Sequence, residues 1–98
     1  MRNGVRLGVD FGRARVGFAD RDASAAVVLP VRSVALESAL PQIQLEVAER
    51  ECLEVVVGLP LTLAGAEGPA AEQARAFAAE LAVAIRPVPV RLVDERLT

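Results

Sequence analysis

The sequence predicts an α/β domain with a mixed five-stranded sheet and the element order β-β-β-α-β-α-β. Two apolar segments, 4–11 and 14–20, flank the tight turn Gly12-Arg13 and read as an antiparallel hairpin. Residues 53–59, Leu-Glu-Val-Val-Val-Gly-Leu, form a β-branched run without alternation, as in a parallel strand buried on both faces. The last two strands are each reached through a helical stretch, which suits right-handed parallel crossovers.

The first strand is Gly-Val-Arg-Leu-Gly-Val-Asp-Phe, 4–11, and it delivers Asp10 to the turn. A charge at the end of an apolar strand costs several kcal/mol if it stays buried and unpaired, so Asp10 is expected to have a partner. Gly12 is expected to supply positive φ in the turn. Asp20-Arg21-Asp22 reads as a polar turn. Residues 25–34 suggest a third strand, with Pro30 marking an edge or a break. Ser38 is the expected N-cap of a helix over 39–51, with Leu40, Ile43 and Val47 inward and Glu46, Glu49 and Arg50 outward. Pro60 ends the fourth strand. Pro69 opens a second helix whose apolar stripe is Ala70, Ala74, Phe77, Ala78, Leu81 and Ile85. Pro87 and Pro89 close it, and 88–93 form the fifth strand, ending at Asp94-Glu95. With 98 residues the chain is expected to form one domain, without repeat or linker.

Composition narrows the chemistry. Hydrophobic residues make up 53%, enough for a core, yet only Phe11, Phe18 and Phe77 are aromatic, so aliphatic residues must fill it. There is no histidine, which removes Ser-His-Asp and Cys-His catalysis and histidine metal sites. All 11 basic residues are arginine, so a P-loop or Schiff-base lysine is excluded. The net charge of −2 argues against non-specific coating of nucleic acid, though not against a local arginine patch. One cysteine, Cys52, allows no internal disulfide and suits a reducing cytoplasm; it reads as a core residue at a helix–strand junction. No leader or membrane span is expected.

Carboxylates are the remaining acid–base and metal-binding resource. Parallel strands of an α/β sheet bring their C-terminal ends to one edge, where ligands bind. Asp10 can meet Asp94 or Glu95 there, and an all-oxygen set suits Mg²⁺ or Mn²⁺. The plainer alternatives are that Asp10 pairs with Arg13 or Arg15, and that Asp94-Glu95-Arg96 is a solvated terminus. Arg13 and Arg15 beside Gly12 suit a phosphate, by guanidinium forks and close backbone approach. Equally, they can simply solubilise a turn. The loop 60–68 leads into a helix N-terminus, which favours anions, or is an ordinary connection.

Three segments together resemble the YqgF/RuvX family of RNase H-like nucleases: Gly8-Val9-Asp10-Phe11-Gly12-Arg13-Ala14-Arg15-Val16-Gly17-Phe18-Ala19, Val56-Val57-Gly58-Leu59-Pro60-Leu61-Thr62 with Gly65 and Gly68, and Val93-Asp94-Glu95-Arg96-Leu97-Thr98. The resemblance covers essentially the whole chain. It implies an RNase H-like fold and metal-dependent phosphodiester hydrolysis with Mg²⁺ or Mn²⁺. The substrate it implies is structured nucleic acid: the 5′ end of precursor 16S rRNA, or a DNA four-way junction. It maps Asp10 to a catalytic metal carboxylate and Asp94-Glu95-Arg96 to the second acidic position, with Glu95 preferred as ligand over Asp94. Thr62 and Arg96 join Gly12, Arg13 and Arg15 as expected phosphate contacts.

The chain departs from the family pattern twice. Related junction resolvases carry an acid at the end of the fourth strand, where this chain has Val57-Gly58-Leu59-Pro60. The family also continues into a final helix with another catalytic aspartate, so a chain ending at Thr98 is expected to lack that ligand and to be inactive alone. Junction cleavage would require a homodimer. Two other classes compete. Asp-x-Gly before a second strand resembles the phosphate hairpin of actin-like ATPases, which enclose a nucleotide between two large domains. A non-catalytic module binding nucleic acid or protein is the third reading.

Overall fold

The computed structural model describes residues 5–21, 32–61, 65 and 67–96, with 61, 95 and 96 as backbone alone. Among them the chain forms β1 (Arg6–Phe11), β2 (Arg15–Arg21), β3 (Arg32–Ala35), α1 (Leu36–Arg50), β4 (Glu54–Leu61), α2 (Pro69–Ala84) and β5 (Val90–Arg96). The sheet order is β3-β2-β1-β4-β5. β1 pairs antiparallel with β2 and parallel with β4, and β4 pairs parallel with β5. This is the mixed five-stranded RNase H-like sheet, with β1 at its centre.

Strand alternation sorts the side chains onto two faces. Leu7, Val9, Val16, Phe18, Val55 and Val57 share one face and pack with Ile43 and Val47 of α1 and Phe77, Ala78 and Leu81 of α2. Both described helices therefore cover the same face. β4 is buried on both sides from Val55 to Leu59, as its unbroken apolar run predicts. Cys52 is buried at the α1–β4 junction, and burial pushes its thiol pKa up, so it is a core residue.

Several local expectations are corrected. Asp20 and Arg21 belong to β2 rather than to a turn. The described part of the third strand is Arg32–Ala35; the preceding part of 25–34, including Pro30, lies outside the described residues. Helix α1 begins at Leu36, so Ser38 lies inside it and is exposed. The flanking Ala35 offers no side-chain cap. Instead the Leu36 N–H donates to the carbonyl of Ala14 in the hairpin turn, at 2.8 Å. A tertiary contact thus takes the place of a cap. Pro60 continues β4 and pairs with Glu95. In α2, Ala71 is buried and Ala70 exposed, a shift of one position in the stripe.

On the face away from the helices, Arg6 Nε and Arg91 Nη2 both donate to Glu54 Oε1, at 3.2 and 3.1 Å. The hydrogen bond from Arg91, then that from Arg6, holds the Glu54 carboxyl below its ordinary value of 4.5. A lowered folded-state pKa stabilises the fold above pH 4.5 and loses that contribution as the pH falls through the lowered value. Glu54→Gln is therefore expected to lower stability by up to about 1 kcal/mol near neutral pH. The gap to wild type should close on acidification, as chemical unfolding at about pH 6 and about pH 3 would show. A gap that widens in acid would contradict this pairing.

Candidate active site

Asp10 stands near the C-terminal end of the central strand. Its register partners are Gly17 in β2 and Gly58 in β4, so no side chain flanks it on either adjacent strand. Its own side chain is exposed. The expected cost of burial therefore does not arise. Nor does Asp10 pair with Arg13 or Arg15: it has no ion pair among the described residues. It is an acid without an ion pair among the described residues, flanked by glycines on both neighbouring strands, at the edge where parallel strands end.

The register separates Asp94 from Glu95. Across the sheet Asp10 aligns with Gly58, and Gly58 with Val93. Alternation along β5 puts position 95 on Asp10's face and position 94 on the helix face. Asp94 shows this electrostatically. Arg75 of α2, whose pKa is raised chiefly by its hydrogen bonds to Glu67, also feels the Asp94 charge. Positions 10 and 95 lie two strand spacings apart, about 10 Å between their strands. Their carboxylate chemistry fits a hard divalent cation. No group of three metal-binding side chains occurs among the described residues.

The turn after Asp10 is built by close approach. A Cβ on Gly12 would lie 2.5 Å from the Arg15 carbonyl oxygen, a backbone atom that cannot swing aside. Among the described glycines only Gly65 has positive φ, so Gly12 is needed for space rather than for its expected dihedral angle. Arg15 Nε donates to Ser33 Oγ at 3.0 Å and Nη2 to the Ser33 carbonyl at 3.1 Å, tying the turn to β3. Arg13 is exposed and has no ion pair among the described residues. Arg96 is placed only as the strand position opposite Leu61, and Thr62 lies outside the described residues. The N-terminus of α2 carries Glu72 in its first turn, and the Glu67–Arg75 pair stands beside it. These carboxylates already answer the helix dipole, which weakens the anion-site reading of that loop.

The sequence reading missed a charge network on the helix face. Asp20 of β2 and Glu46 of α1 are both buried. Arg50 pairs with both, and Arg32 of β3 bonds Glu46 at 2.5 Å. The signal was the i,i+4 spacing of Glu46 and Arg50, but Asp20 joins them from thirty residues away.

The comparisons with known proteins bear on this geometry. The family model RuvX, described as Holliday junction resolvase, matches residues 4–98. The chain belongs to the RuvX family. A protein of Streptomyces coelicolor named "Putative pre-16S rRNA nuclease" is 52% identical over 101 residues, covering 100% of this chain and 60% of that protein. A protein of the same name from Thermobifida fusca is 52% identical over 99 residues, covering 100% of this chain and 62% of that one. This RuvX chain thus spans about three fifths of the length of those relatives. Among solved structures, Lmo2764 of Listeria monocytogenes, described as "a putative N-acetylmannosamine kinase", aligns with a TM-score of 0.53 at 14% identity. The alignment covers 92% of this chain and 35% of that one. That likeness concerns the fold alone.

Proposed function

We propose that the chain carries part of the active centre of a metal-dependent nuclease that hydrolyses phosphodiester bonds at the 5′ end of precursor 16S rRNA. The observation that carries this reading is the free carboxylate of Asp10 on the central strand of a RuvX-family sheet, 52% identical over its whole length to relatives named for that substrate. Asp10 and Glu95 would hold Mg²⁺ or Mn²⁺. Bound there, the ion would supply activation of water and charge stabilisation at the leaving oxygen. Arg13, exposed beside Gly12, binds a phosphate oxygen of the strand. Arg15 holds the turn through Ser33 and keeps Arg13 in place. Gly17 and Gly58 leave room beside Asp10 on both neighbouring strands for a backbone phosphate.

The family description favours a second reading, cleavage of a DNA four-way junction. That reaction needs two symmetric copies acting on opposed strands. No described helix is long and apolar enough to cross a membrane, and either substrate would be met in the cytoplasm.

One assay separates the readings. The chain, and a chimera in which these 98 residues replace the matched segment of the Streptomyces coelicolor relative, are each given Mg²⁺ or Mn²⁺. Precursor rRNA and a four-way junction are offered side by side. Cleavage of precursor rRNA by the chimera is the expected result. Junction cleavage alone, by a dimer, selects the second reading. Activity undiminished by removal of divalent ions would exclude the metal.

A further inference from the structure

On the helix face an open cleft of about 930 Å³ lies between α1 and α2, beside the end of β1. Its floor holds Phe11 and Phe77, whose ring centroids are 5.0 Å apart with planes tilted by 40°. Its rim carries Arg13, Glu37, Gln73 and Glu80, all exposed. Neither the metal positions nor the charge network uses this cleft.

We propose that the cleft takes one nucleobase of the bound strand, a neighbour of the phosphate held at Asp10. This rests on the nuclease reading and extends it to a base-binding subsite. Continuity is the first argument. Phe11 follows Asp10 in β1, so alternation sends the two to opposite faces of one strand end, and Arg13 in the next turn borders the cleft. A strand crossing the Gly12–Ala14 turn therefore has a phosphate site on one side and the cleft on the other. Chemistry is the second. Every base has an aromatic face that can stack on a phenylalanine. The two rim glutamates against one arginine disfavour a second phosphate and accept hydrogen bonds from exocyclic amino groups. Gln73 can both donate to and accept from a base edge. The occupant is therefore the base and not the backbone.

The test measures binding without divalent ions, so that cleavage does not enter. The ¹⁵N-labelled chain is titrated with a trinucleotide bearing 2-aminopurine and with the same trinucleotide made abasic throughout. The base-bearing ligand should bind about tenfold more tightly or better. It should shift the amides of Gln73, Ala76 and Glu80, and its fluorescence should fall on stacking. Gln73→Ala and Phe11→Leu should each reduce the preference for the base-bearing ligand. Thermal unfolding checks the second variant; should it fail to fold, the abasic comparison and Gln73→Ala still decide. Equal affinity for the abasic ligand overturns the proposal, as do shifts confined to residues 10–15. Cleft amides that move with chain concentration alone would assign the cleft to a second copy, which also overturns it. Failure of the nuclease reading shows separately, as cleavage unchanged by Asp10→Asn.

Discussion

Asp10→Asn is expected to lower metal-dependent cleavage by about a hundredfold or more while leaving the fold unchanged. Two facts make the effects separable. The Asp10 side chain is exposed and has no ion pair among the described residues, so its replacement removes no contact the fold relies on. Substitutions of that kind shift stability by no more than about 0.5 kcal/mol. The carboxylate charge, by contrast, is what a hard cation would need. Measured in the chimera, Asp10→Asn should lose turnover with an unchanged melting curve. Glu95→Gln should follow it, and Asp94→Asn should cost much less, because position 94 lies on the helix face within the field of Arg75. An Asp94→Asn variant as inactive as Asp10→Asn, beside an active Glu95→Gln, would reverse the assignment of the second acid.

The frame of the fold could be read from local pattern because most of its elements obey a local rule. The β4 run has no polar alternation and is buried on both sides. The hairpin has its glycine turn, and Pro69 sits at the first position of α2. The misreadings share one physical cause, which is a partner distant in sequence. The chemistry of Ser38 favours it as a cap, but the Ala14 carbonyl satisfies the first helical N–H, so α1 begins earlier. Asp20 looked like turn chemistry because Arg21 and Asp22 adjoin it. The charge of Glu46 favours an outward position. Neither reading could see Arg50 closing on both. At the candidate site, motif spacing points to Asp10 and the Asp94-Glu95 pair, yet only the strand register distinguishes the two faces of β5. Gly12 sits in the turn its chemistry predicts but for another reason, since dihedral freedom is a local property and the approach of the Arg15 carbonyl is not.

The charge network should produce the largest loss of stability. Asp20→Ala leaves Arg50 without one of its two carboxylates on a face where both acids are buried. Breaking a fully buried pair from one side costs about 3 kcal/mol; because Arg50 is partly exposed and keeps Glu46, the expected loss is about 1–2 kcal/mol, still a large part of the margin for a domain of this size. The melting temperature should fall by about 5–12 °C. Asp20→Asn keeps the shape and an acceptor oxygen, so it should cost about half as much. Replacing both charges, as Asp20→Leu with Arg50→Met, should recover most of the loss, because no buried charge is then left unpaired. A melting temperature unchanged in Asp20→Ala would mean that solvent compensates Arg50 and that the network is decorative. The effect also reaches the candidate site. Arg50 and Glu46 fix α1 against β2 and β3, and the first residue of α1 holds the carbonyl of Ala14. Loosening α1 therefore loosens the turn that carries Arg13. Asp20→Ala should weaken binding of the trinucleotide even below its melting temperature, whereas the Leu–Met pair should restore it along with stability.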